Sequence, residues 1–267
     1  MTAVDPSTQQ PLGRRARNRV ARHDQLLAAA SEIVDESGLD GLTMQGVADR
    51  VDCAVGTIYT YFDSKSALVG ALQSAAVQTL LNSYHRAAEL WDVALEESGH
   101  DDPAVGSLVR VLAYGQLFVA CPRLHPQEFE LLQDAITSRV NTVAERDLGT
   151  LTTYAMTLLA EGVVLIETAI AAGALSAPDA ARGDDSMSRI LRWVGALDGA
   201  LLVAGANVTA LDAGDAGVFD SDHLALLCTE DMLLAWGAPA MVLTEAVQQL
   251  NRMQRAGQFL PRVGTNA

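Results

Sequence analysis

Two tyrosines, two threonines, a phenylalanine and the chain's single lysine lie within ten residues, GTIYTYFDSK, at positions 56–65. A helix turns by about 100° per residue, so Phe62 shares a face with Ile58, whereas Thr57 and Thr60 lie on the opposite face. The sequence therefore predicts a short helix with one apolar face, to which Ala54 and Val55 also belong, and one small, polar face.

The outward face has side chains suited to the major groove of DNA. Gly56 has no side chain, so the helix can approach a groove closely. Thr57 and Thr60 can exchange hydrogen bonds with bases or contact a thymine methyl group. Tyr59 and Tyr61 flank this face and can reach phosphates with their hydroxyl groups.

Two nearby helix starts add predicted phosphate contacts. Lys65 opens a helix that Asp63 or Ser64 caps, so its ammonium group and the free N–H groups can hold an anion. Thr43 is a favourable N-cap for the preceding helix, MQGVADRV. Taken singly, each of these residues is more often structural or simply solvated, but the whole set favours DNA binding.

The elements around this segment have the order of a helix-turn-helix. A first helix begins near Arg22, and Gly38 stands where its C-cap is expected. A second helix starts after Thr43 and the third contains Ile58. One face of the first helix carries Leu26, Leu27, Ala30, Ile33 and Val34, at helical spacing.

Helical patterns continue to the end of the chain, and no segment alternates with period two. Proline and glycine mark the breaks between them. The sequence predicts an all-α fold of about ten helices, with later helices near 103–121, 126–145, 150–175, 185–207, 222–236 and 239–256.

Charge is distributed unevenly along the chain. The net charge is −15, yet five arginines and no acidic residue lie within residues 14–22. A basic segment on an acidic chain indicates contact with a polyanion, although a solvated tail explains the charge equally well. We expect residues 1–21 to form a flexible basic arm that contains Arg14, Arg15, Arg17 and Arg19 and directly precedes the helix start at Arg22.

Other functional classes find little support in the residues. The first 13 residues lack the apolar core of a signal peptide. The apolar stretches 151–175 and 193–211 favour buried helices over membrane spans. Three scattered cysteines and five scattered histidines have no metal-ligand spacing, and motifs for a nucleophile elbow, a phosphate loop or a zinc protease are missing. We therefore expect no enzyme, no cofactor, no metal and no membrane.

Residues 22–70 resemble the DNA-binding region of the tetracycline-repressor (TetR) family of bacterial transcriptional regulators. The resemblance rests on LLAAASEIVDESGLDGLTMQGVADRV followed by VGTIYTYFDSKSALVGAL. Its most specific part is the run from Gly56 to Lys65. The resemblance implies a DNA-binding domain at 22–68 and a helical ligand-binding and dimerisation domain at 69–267.

The same resemblance assigns roles to individual positions. It implies a recognition helix, phosphate contacts and an N-terminal arm that reaches the minor groove. The implied DNA contacts are Thr43, Gln45, Val55, Gly56, Thr57, Tyr59, Thr60, Tyr61, Lys65, Arg14, Arg15, Arg17, Arg19 and Arg22. The chain departs from the family at Asp52, where glycine is usual, at Ala54, where serine is frequent, and at Val55, where a polar or basic residue is common.

The family resemblance also implies an effector pocket in the C-terminal helices. Their apolar character favours a hydrophobic or amphipathic small molecule with few charged contacts. Each candidate is more often an ordinary core or surface residue. The predicted pocket residues are Tyr114, Phe118, His125, Phe129, Met156, Trp193, Asp198 and Asn207.

The last two predicted helices carry more apolar residues than two helices bury alone, so we expect a four-helix contact in a homodimer. Packing within one subunit is the alternative. The residues concerned are Leu224, Leu227, Met232, Leu233, Leu234, Trp236, Met241, Leu243, Val247 and Leu250.

The sequence thus predicts a cytoplasmic regulator that binds a palindromic operator as a dimer and is released by a largely apolar effector. Repression relieved by a ligand follows from the resemblance alone. The alternative is a helical ligand-binding or interaction protein with weak or lost DNA binding, because Asp52, Ala54 and Val55 depart from the family pattern.

Overall fold

The computed structural model describes residues 13–99, 101–137, 145–179, 183–205 and 220–260. Within these ranges the chain forms ten α-helices and no strand, which confirms the predicted all-α fold. The helices are α1 (Arg14–Gly41), α2 (Met44–Arg50), α3 (Val55–Tyr59), α4 (Lys65–Glu97), α5 (Pro103–Leu124), α6 (Pro126–Thr137), α7 (Glu145–Ala171), α8 (Ser186–Gly205), α9 (Ser221–Ala235) and α10 (Ala240–Arg255).

The helices form two compact units. The first contains α1, α2, α3, the start of α4 up to Ala75 and the start of α7 up to Thr150. The second contains α4 from Ala76, α5, α6, α7 from Leu151, and α8 to α10. The division therefore falls inside two helices, α4 and α7, where no loop marks it in the sequence.

The first helix begins eight residues earlier than the predicted start at Arg22, at Arg14. The prediction of a flexible arm up to residue 21 is therefore wrong for residues 14–21. Arginine and alanine are both good helix formers, so RRARNRVA extends the helix instead of fraying from it. Gly38 adopts φ 67° and breaks the helix near its end, as the sequence predicts.

The apolar faces of α1, α2 and α3 form the core of the first unit. Leu26 and Ile33 of α1, Val47 of α2 and Ile58 of α3 are buried. Ser64 caps α4, because its Oγ accepts a hydrogen bond from the N–H of Ala67 at 3.1 Å.

The second unit is built around α5, which contacts α6, α8, α9 and α10. Gly115 lies where α5 meets α8 and α9, and an added Cβ there would lie 3.0 Å from Thr229 Oγ1 and 3.2 Å from Trp193 Cζ2. Among the described helices, α5 alone is long and apolar enough to cross a membrane, and most of its apolar stretch is buried inside the protein. A buried core helix can have the same length and apolar composition.

The apolar residues of α9 and α10 are largely buried within the chain. Leu233, Leu243 and Leu250 are buried, and α10 packs against α5. Leu227 and Leu234 remain exposed on α9, whereas Met241 is exposed on α10. Packing inside one subunit was the alternative to a dimer contact, and it accounts for the burial of most apolar side chains of α10.

Candidate nucleic-acid interface and ligand cavity

The turn between α2 and α3 is tight and uses an uncommon backbone conformation. Asp52 has φ 50°, in the left-handed region that glycine favours and aspartate tolerates. The N–H of Cys53 closes the turn on the carbonyl of Ala48 at 3.0 Å. Glycine, which is usual here in the family that the sequence resembles, would adopt this backbone conformation without strain.

Helix α3 is short and its N-terminus lacks a side-chain cap. It runs from Val55 to Tyr59, and Ala54 at the N-cap makes no side-chain hydrogen bond. Beyond it, the N–H groups of Tyr61 and Phe62 both donate to the carbonyl of Ile58, at 2.9 Å each. The predicted helix VGTIYTYF is therefore regular only in its first five residues, and turns follow.

Two buried side chains fix the orientation of α3. Ile58 is fully buried and Phe62 is 4% exposed. Ala54, predicted on the same apolar face, is exposed instead, because it precedes the helix and does not follow the helical rotation. Val55 is half-buried.

The opposite side of α3 is small and polar. Gly56 and Thr60 are exposed, Thr57 is half-buried, and Tyr59 is 50% exposed. A Cβ added to Gly56 would meet nothing within 4 Å, so packing inside the chain does not require this glycine. The hydroxyl of Thr60 donates to the Gly56 carbonyl at 3.1 Å, which leaves its methyl group directed elsewhere.

The two predicted helix starts differ in how their side chains are bound. Thr43 caps α2, since its Oγ1 accepts the N–H of Gly46 at 3.0 Å. Lys65 donates from Nζ to the carbonyl of Leu39 at 3.1 Å. An ammonium group has three donors, so two remain for an anion after this bond.

Gln45 and Arg50 on α2 are engaged by acidic neighbours. Gln45 donates from Nε2 to Asp49 Oδ1 at 2.6 Å. Arg50 donates from Nη1 to Glu36 Oε1 at 2.8 Å and also pairs with Glu32. The hydrogen bond from Arg50 lowers the pKa of Glu36. The guanidinium of Arg50 therefore forms its ion pairs with acidic residues of α1.

The N-terminal arginines lie on the helix α1, where they are divided between faces. Arg15, Asn18 and Arg19 line a groove with Thr60 and Tyr61. The guanidinium of Arg19 lies 5.8 Å from the centre of the Tyr61 ring, within cation–π distance. Arg14 and Arg17 are exposed, whereas Arg22 is half-buried and donates to Gln25 Oε1 at 2.7 Å.

The second unit contains an apolar cavity of about 270 Å³. Four aromatic rings line it, and two of them, Tyr84 and Tyr114, meet edge to face at 5.3 Å. The Tyr114 hydroxyl donates to the carbonyl of Leu158 at 3.2 Å. The lining residues are Leu80, Tyr84, Tyr114, Leu117, Phe118, Cys121, Phe129, Leu132, Ile136, Leu158, Leu159, Leu191, Val194 and Asp198.

Burial controls the titration of the polar groups around this cavity. It raises the pKa of Tyr84 to about 12 and the pKa of the Cys121 thiol to about 12, and it raises the pKa of Tyr114 further. These groups are therefore neutral at physiological pH. Burial also raises the pKa of Asp198, against a hydrogen bond from Gln133 that lowers it.

The structure brings some of the predicted pocket residues together and separates others. Tyr114, Phe118, Phe129 and Asp198 line the cavity. Three other predicted residues, Trp193, His125 and Met156, do not line it, and each has a different environment. Trp193 is fully buried and donates to Thr229 Oγ1 at 2.9 Å, His125 is hydrogen-bonded to Ser83 Oγ at 3.0 Å, Met156 is 44% exposed, and Asn207 lies outside the described residues.

The sequence analysis missed most of the aliphatic lining and Tyr84. Leu80 and Tyr84 are four residues apart on α4, so they share a face, and this spacing was an available signal. For the other aliphatic lining residues, such as Leu158, Leu159 and Leu191, the sequence has no comparable spacing that marks them as cavity residues. Across the described residues, no group of three or more metal-ligating side chains occurs.

Comparisons with known proteins find similarity to bacterial transcriptional regulators. Residues 26–72 match the family described as bacterial regulatory proteins, tetR family. An uncharacterised HTH-type transcriptional regulator, YvdT of Bacillus subtilis, is 29% identical over 84 residues, which are 29% of this chain and 43% of that protein. The repressor KstR of Mycolicibacterium smegmatis is 40% identical over 73 residues, which are 27% of this chain and 35% of that repressor.

The fold likeness extends beyond the matched segment. A TetR-family regulator from Agrobacterium tumefaciens superposes with a TM-score of 0.52 at 22% identity, over 82% of this chain and 99% of that one. The matches to the curated relatives span less than half the length of those proteins. Residues 26–72 therefore match the TetR family of bacterial regulatory proteins, and the likeness to the solved structure shows a shared all-α fold.

Proposed function

We propose that this chain is a DNA-binding transcriptional regulator whose helix α3 enters the major groove. The outward face at Gly56 carries the proposal, because the fold itself makes no demand for a glycine there. Close approach of α3 to a DNA groove would instead explain why a residue without a side chain occupies this position. Thr57 and the methyl group of Thr60 are the proposed base contacts, and Val55 lies at the start of the same helix.

Phosphate contacts surround this face in the proposal. Tyr59 and Tyr61 flank α3, and Lys65 retains two donors at the start of α4. Thr43 caps α2 and Gln45 lies in its first turn, so the N-terminus of α2 is a further proposed phosphate contact. Such contacts orient a protein on the duplex without reading its sequence.

The basic end of α1 adds charge to the proposed interface. Arg15 and Arg19 are one turn apart on the helix and line the same groove as Tyr61. They are therefore the proposed arginine contacts, with Arg14, Arg17 and Arg22 secondary to them because they do not line that groove. This helical geometry replaces the flexible arm expected from the sequence.

A titration against DNA tests the proposal. Fluorescence anisotropy with the DNA upstream of the chain's own gene should show binding that weakens with salt. Arg15→Ala and Arg19→Ala should each reduce the slope of log affinity against log salt by about 1. Arg86→Ala removes an exposed arginine from α4 in the second unit and serves as the control, with an unchanged slope.

We further propose that the chain acts as a homodimer on a palindromic site. Exposed apolar side chains support this, and the contact surface proposed for them is formed by α8 and α9. Leu202 is 77% exposed and Val203 43% exposed on α8, and Leu227 and Leu234 are 45% and 46% exposed on α9. Because α8 contacts α9, two copies of this helix pair can form a four-helix contact.

The cavity of the second unit is the proposed effector site. Its almost wholly apolar lining supports a largely apolar small molecule. Binding shifts the population of the dimer towards a state in which the two recognition helices no longer match the groove spacing. Mass spectrometry of a small molecule that co-purifies with the protein tests the cavity directly, and the proposed DNA-binding role implies a cytoplasmic location.

A ligand-binding protein without DNA binding is the second candidate. The uncapped N-terminus of α3 at Ala54 favours it, as do the exposed carboxylates of Asp52 and Asp63 beside the interface. Folded, dimeric protein that binds no DNA at low salt would support this candidate over the first.

A further inference from the structure

The cavity of the second unit contains one acidic side chain among apolar and aromatic neighbours. Asp198 of α8 is the carboxylate among its described lining residues. The remaining polar lining groups are the hydroxyls of Tyr84 and Tyr114 and the thiol of Cys121, and the Tyr114 hydroxyl is already bound to Leu158. Asp198 is therefore the principal polar group that the cavity offers to a ligand.

The hydrogen bonding of Asp198 within the chain is incomplete. Its Oδ1 accepts one bond from Gln133 Nε2, at 3.1 Å. An ionised carboxylate can accept about four hydrogen bonds. In the described parts of the chain, none of the ion pairs includes Asp198. A neutral amide is thus its observed partner, and its negative charge has no observed counterion.

A partly buried carboxylate without a counterion is electrostatically unfavourable. Burial disfavours its charged form, and a cation within about 4–6 Å restores it. Buried charges in proteins are ordinarily paired for this reason. A ligand that brings a positive charge to Asp198 gains that interaction, whereas a ligand that brings a carboxylate meets repulsion.

The rest of the lining fits the apolar body of such a ligand. Phe118 and Phe129 meet edge to face with ring centres 6.0 Å apart, and Tyr84 and Tyr114 form a second aromatic pair. Aromatic rings also attract cations through their faces. The cavity therefore combines apolar surface for a hydrophobic body with one acidic position for a head group.

We propose that the cavity binds a lipophilic amine, whose protonated nitrogen pairs with the Asp198 carboxylate while its apolar body lies among the aromatic side chains. This inference rests on the proposed effector role of the cavity and names the chemical class of the effector. It distinguishes an amine from a neutral phenol or alcohol and from a fatty or aromatic acid, all of which have comparable apolar bodies.

Three probes of nearly equal size and different head group test the inference. They are 4-phenylbutylamine, 4-phenylbutan-1-ol and 4-phenylbutyrate, titrated into the full chain by calorimetry at neutral pH. The amine should bind at least about tenfold more tightly than the alcohol, because the ammonium brings a full positive charge to the carboxylate, whereas the alcohol brings only a neutral donor. The carboxylate should bind most weakly.

Asp198→Asn keeps the shape of the side chain and removes its charge. The variant should bring the amine within about threefold of the alcohol, with the affinity for the alcohol little changed. Asp231→Asn removes an exposed carboxylate from α9 that does not line the cavity, and this control should keep the preference for the amine.

Several results would overturn the inference. They are equal affinity for the amine and the alcohol, tighter binding of the carboxylate, an amine preference that survives in Asp198→Asn, and no binding of any probe. The probe series in the unchanged protein gives an answer even if the variant does not fold.

DNA binding of the same preparations separates this inference from the proposed regulatory function. If the amine preference is present but DNA is not bound, the inference stands and the regulatory function fails. If DNA is bound but the amine preference is missing, the inference fails and the regulatory function stands.

Discussion

Gly56 lies one residue into α3, in the helical region of the backbone, with open space around the position that a Cβ would take. Gly56→Ala should leave the free energy of unfolding unchanged or raise it by up to about 1 kcal/mol, because alanine favours the helix more than glycine does. The added methyl group should nevertheless lower DNA affinity about tenfold or more, about 1.4 kcal/mol, because it separates α3 from the groove. Urea denaturation and fluorescence anisotropy measure the two effects.

Gly70→Ala is the matched control for this substitution. Gly70 lies on α4 in the first unit and also has no atom within 4 Å of an added Cβ. Its substitution should change DNA affinity by less than about twofold, a difference of about 0.4 kcal/mol. Unchanged DNA affinity in Gly56→Ala would remove the main support for α3 as the recognition helix.

Arg189 is a buried cation that joins three parts of the second unit. It is 2% exposed, donates to the carboxylate of Asp184 at 2.6 Å and to the carbonyl of Ser176 at 3.0 Å, and lies 5.7 Å from the ring of Trp236. Its hydrogen bond, with that of Arg192, lowers the pKa of Asp184 to about 2 from an ordinary 3.8. The ionised carboxylate is therefore the form that stabilises the folded chain.

This pKa shift predicts how stability responds to acid. A carboxylate with a lowered folded pKa contributes its stabilisation above the unfolded pKa and loses it as the pH falls through the folded pKa. The difference in unfolding free energy between the wild type and Asp184→Asn should thus be full above about pH 4 and shrink towards about pH 2. Urea denaturation from pH 6 to pH 2 checks it, and a difference independent of pH would contradict the assignment.

At the scale of elements, the crossing of α7 and α8 depends on one glycine. A Cβ on Gly162 would lie 2.2 Å from Cδ1 of Ile190 and 2.8 Å from its Cγ1. Ile190 is fully buried and has little room to move away. Gly162→Ala should therefore destabilise the chain by about 1–3 kcal/mol, as overpacking does elsewhere.

A second substitution tests whether this contact is the cause. Ile190→Val removes Cδ1, so the double variant should cost less than the sum of the two single variants, by about 0.5 kcal/mol or more. Gly195→Ala on α8 is the control, because an added Cβ there meets no atom within 4 Å and should not destabilise. Strict additivity of Gly162→Ala and Ile190→Val would contradict the proposed contact.

Helix boundaries with a local chemical cause were predictable from the sequence. Gly38, Pro103 and Pro126 each mark a break or a start where the structure has one. The predicted start of α1 is wrong, because clustered positive charge in RRARNR favours a flexible arm in the prediction although its residues favour helix. Charge describes what a segment contacts, whereas helix propensity and continuity with the following helix decide its conformation.

Features that depend on which elements meet were less predictable. Four candidate pocket residues line the cavity, because the apolar C-terminal helices that carry them enclose it. Trp193 is equally aromatic and apolar, yet it packs against α9 through Thr229. Likewise, the apolar residues of α10 do not reveal in the sequence that α5 covers most of them. Composition identifies buried faces, and only the packing identifies their partners.

At the scale of the whole molecule, an acidic protein that binds a polyanion needs its positive charge concentrated. Five arginines lie within residues 14–22 of a chain with net charge −15. A dimer doubles this local positive charge and allows two half-sites to be bound at once. If the proposed dimer forms, its contact surface should therefore contribute to DNA affinity together with the arginines.

Charge placed on that surface should separate the subunits. Leu227 and Leu234 lie seven residues apart on one face of α9, and both are about half exposed in the single chain. The double variant Leu227→Glu and Leu234→Glu should fold, because neither side chain belongs to the core. In a dimer, each buried and unpaired carboxylate would cost about 2 kcal/mol or more. Sedimentation at micromolar concentration should give a monomer, and DNA affinity should fall with it.

Met241→Glu distinguishes this surface from the one that the sequence favoured. Met241 lies on α10 and is 85% exposed, more than either leucine. If α8 and α9 form the contact, Met241→Glu should remain a dimer with unchanged DNA affinity. A monomer from both Met241→Glu and the double leucine variant would instead assign the contact to α9 and α10, the pair that the sequence favours. Circular dichroism confirms that each variant is folded, so a change in mass reports the interface alone.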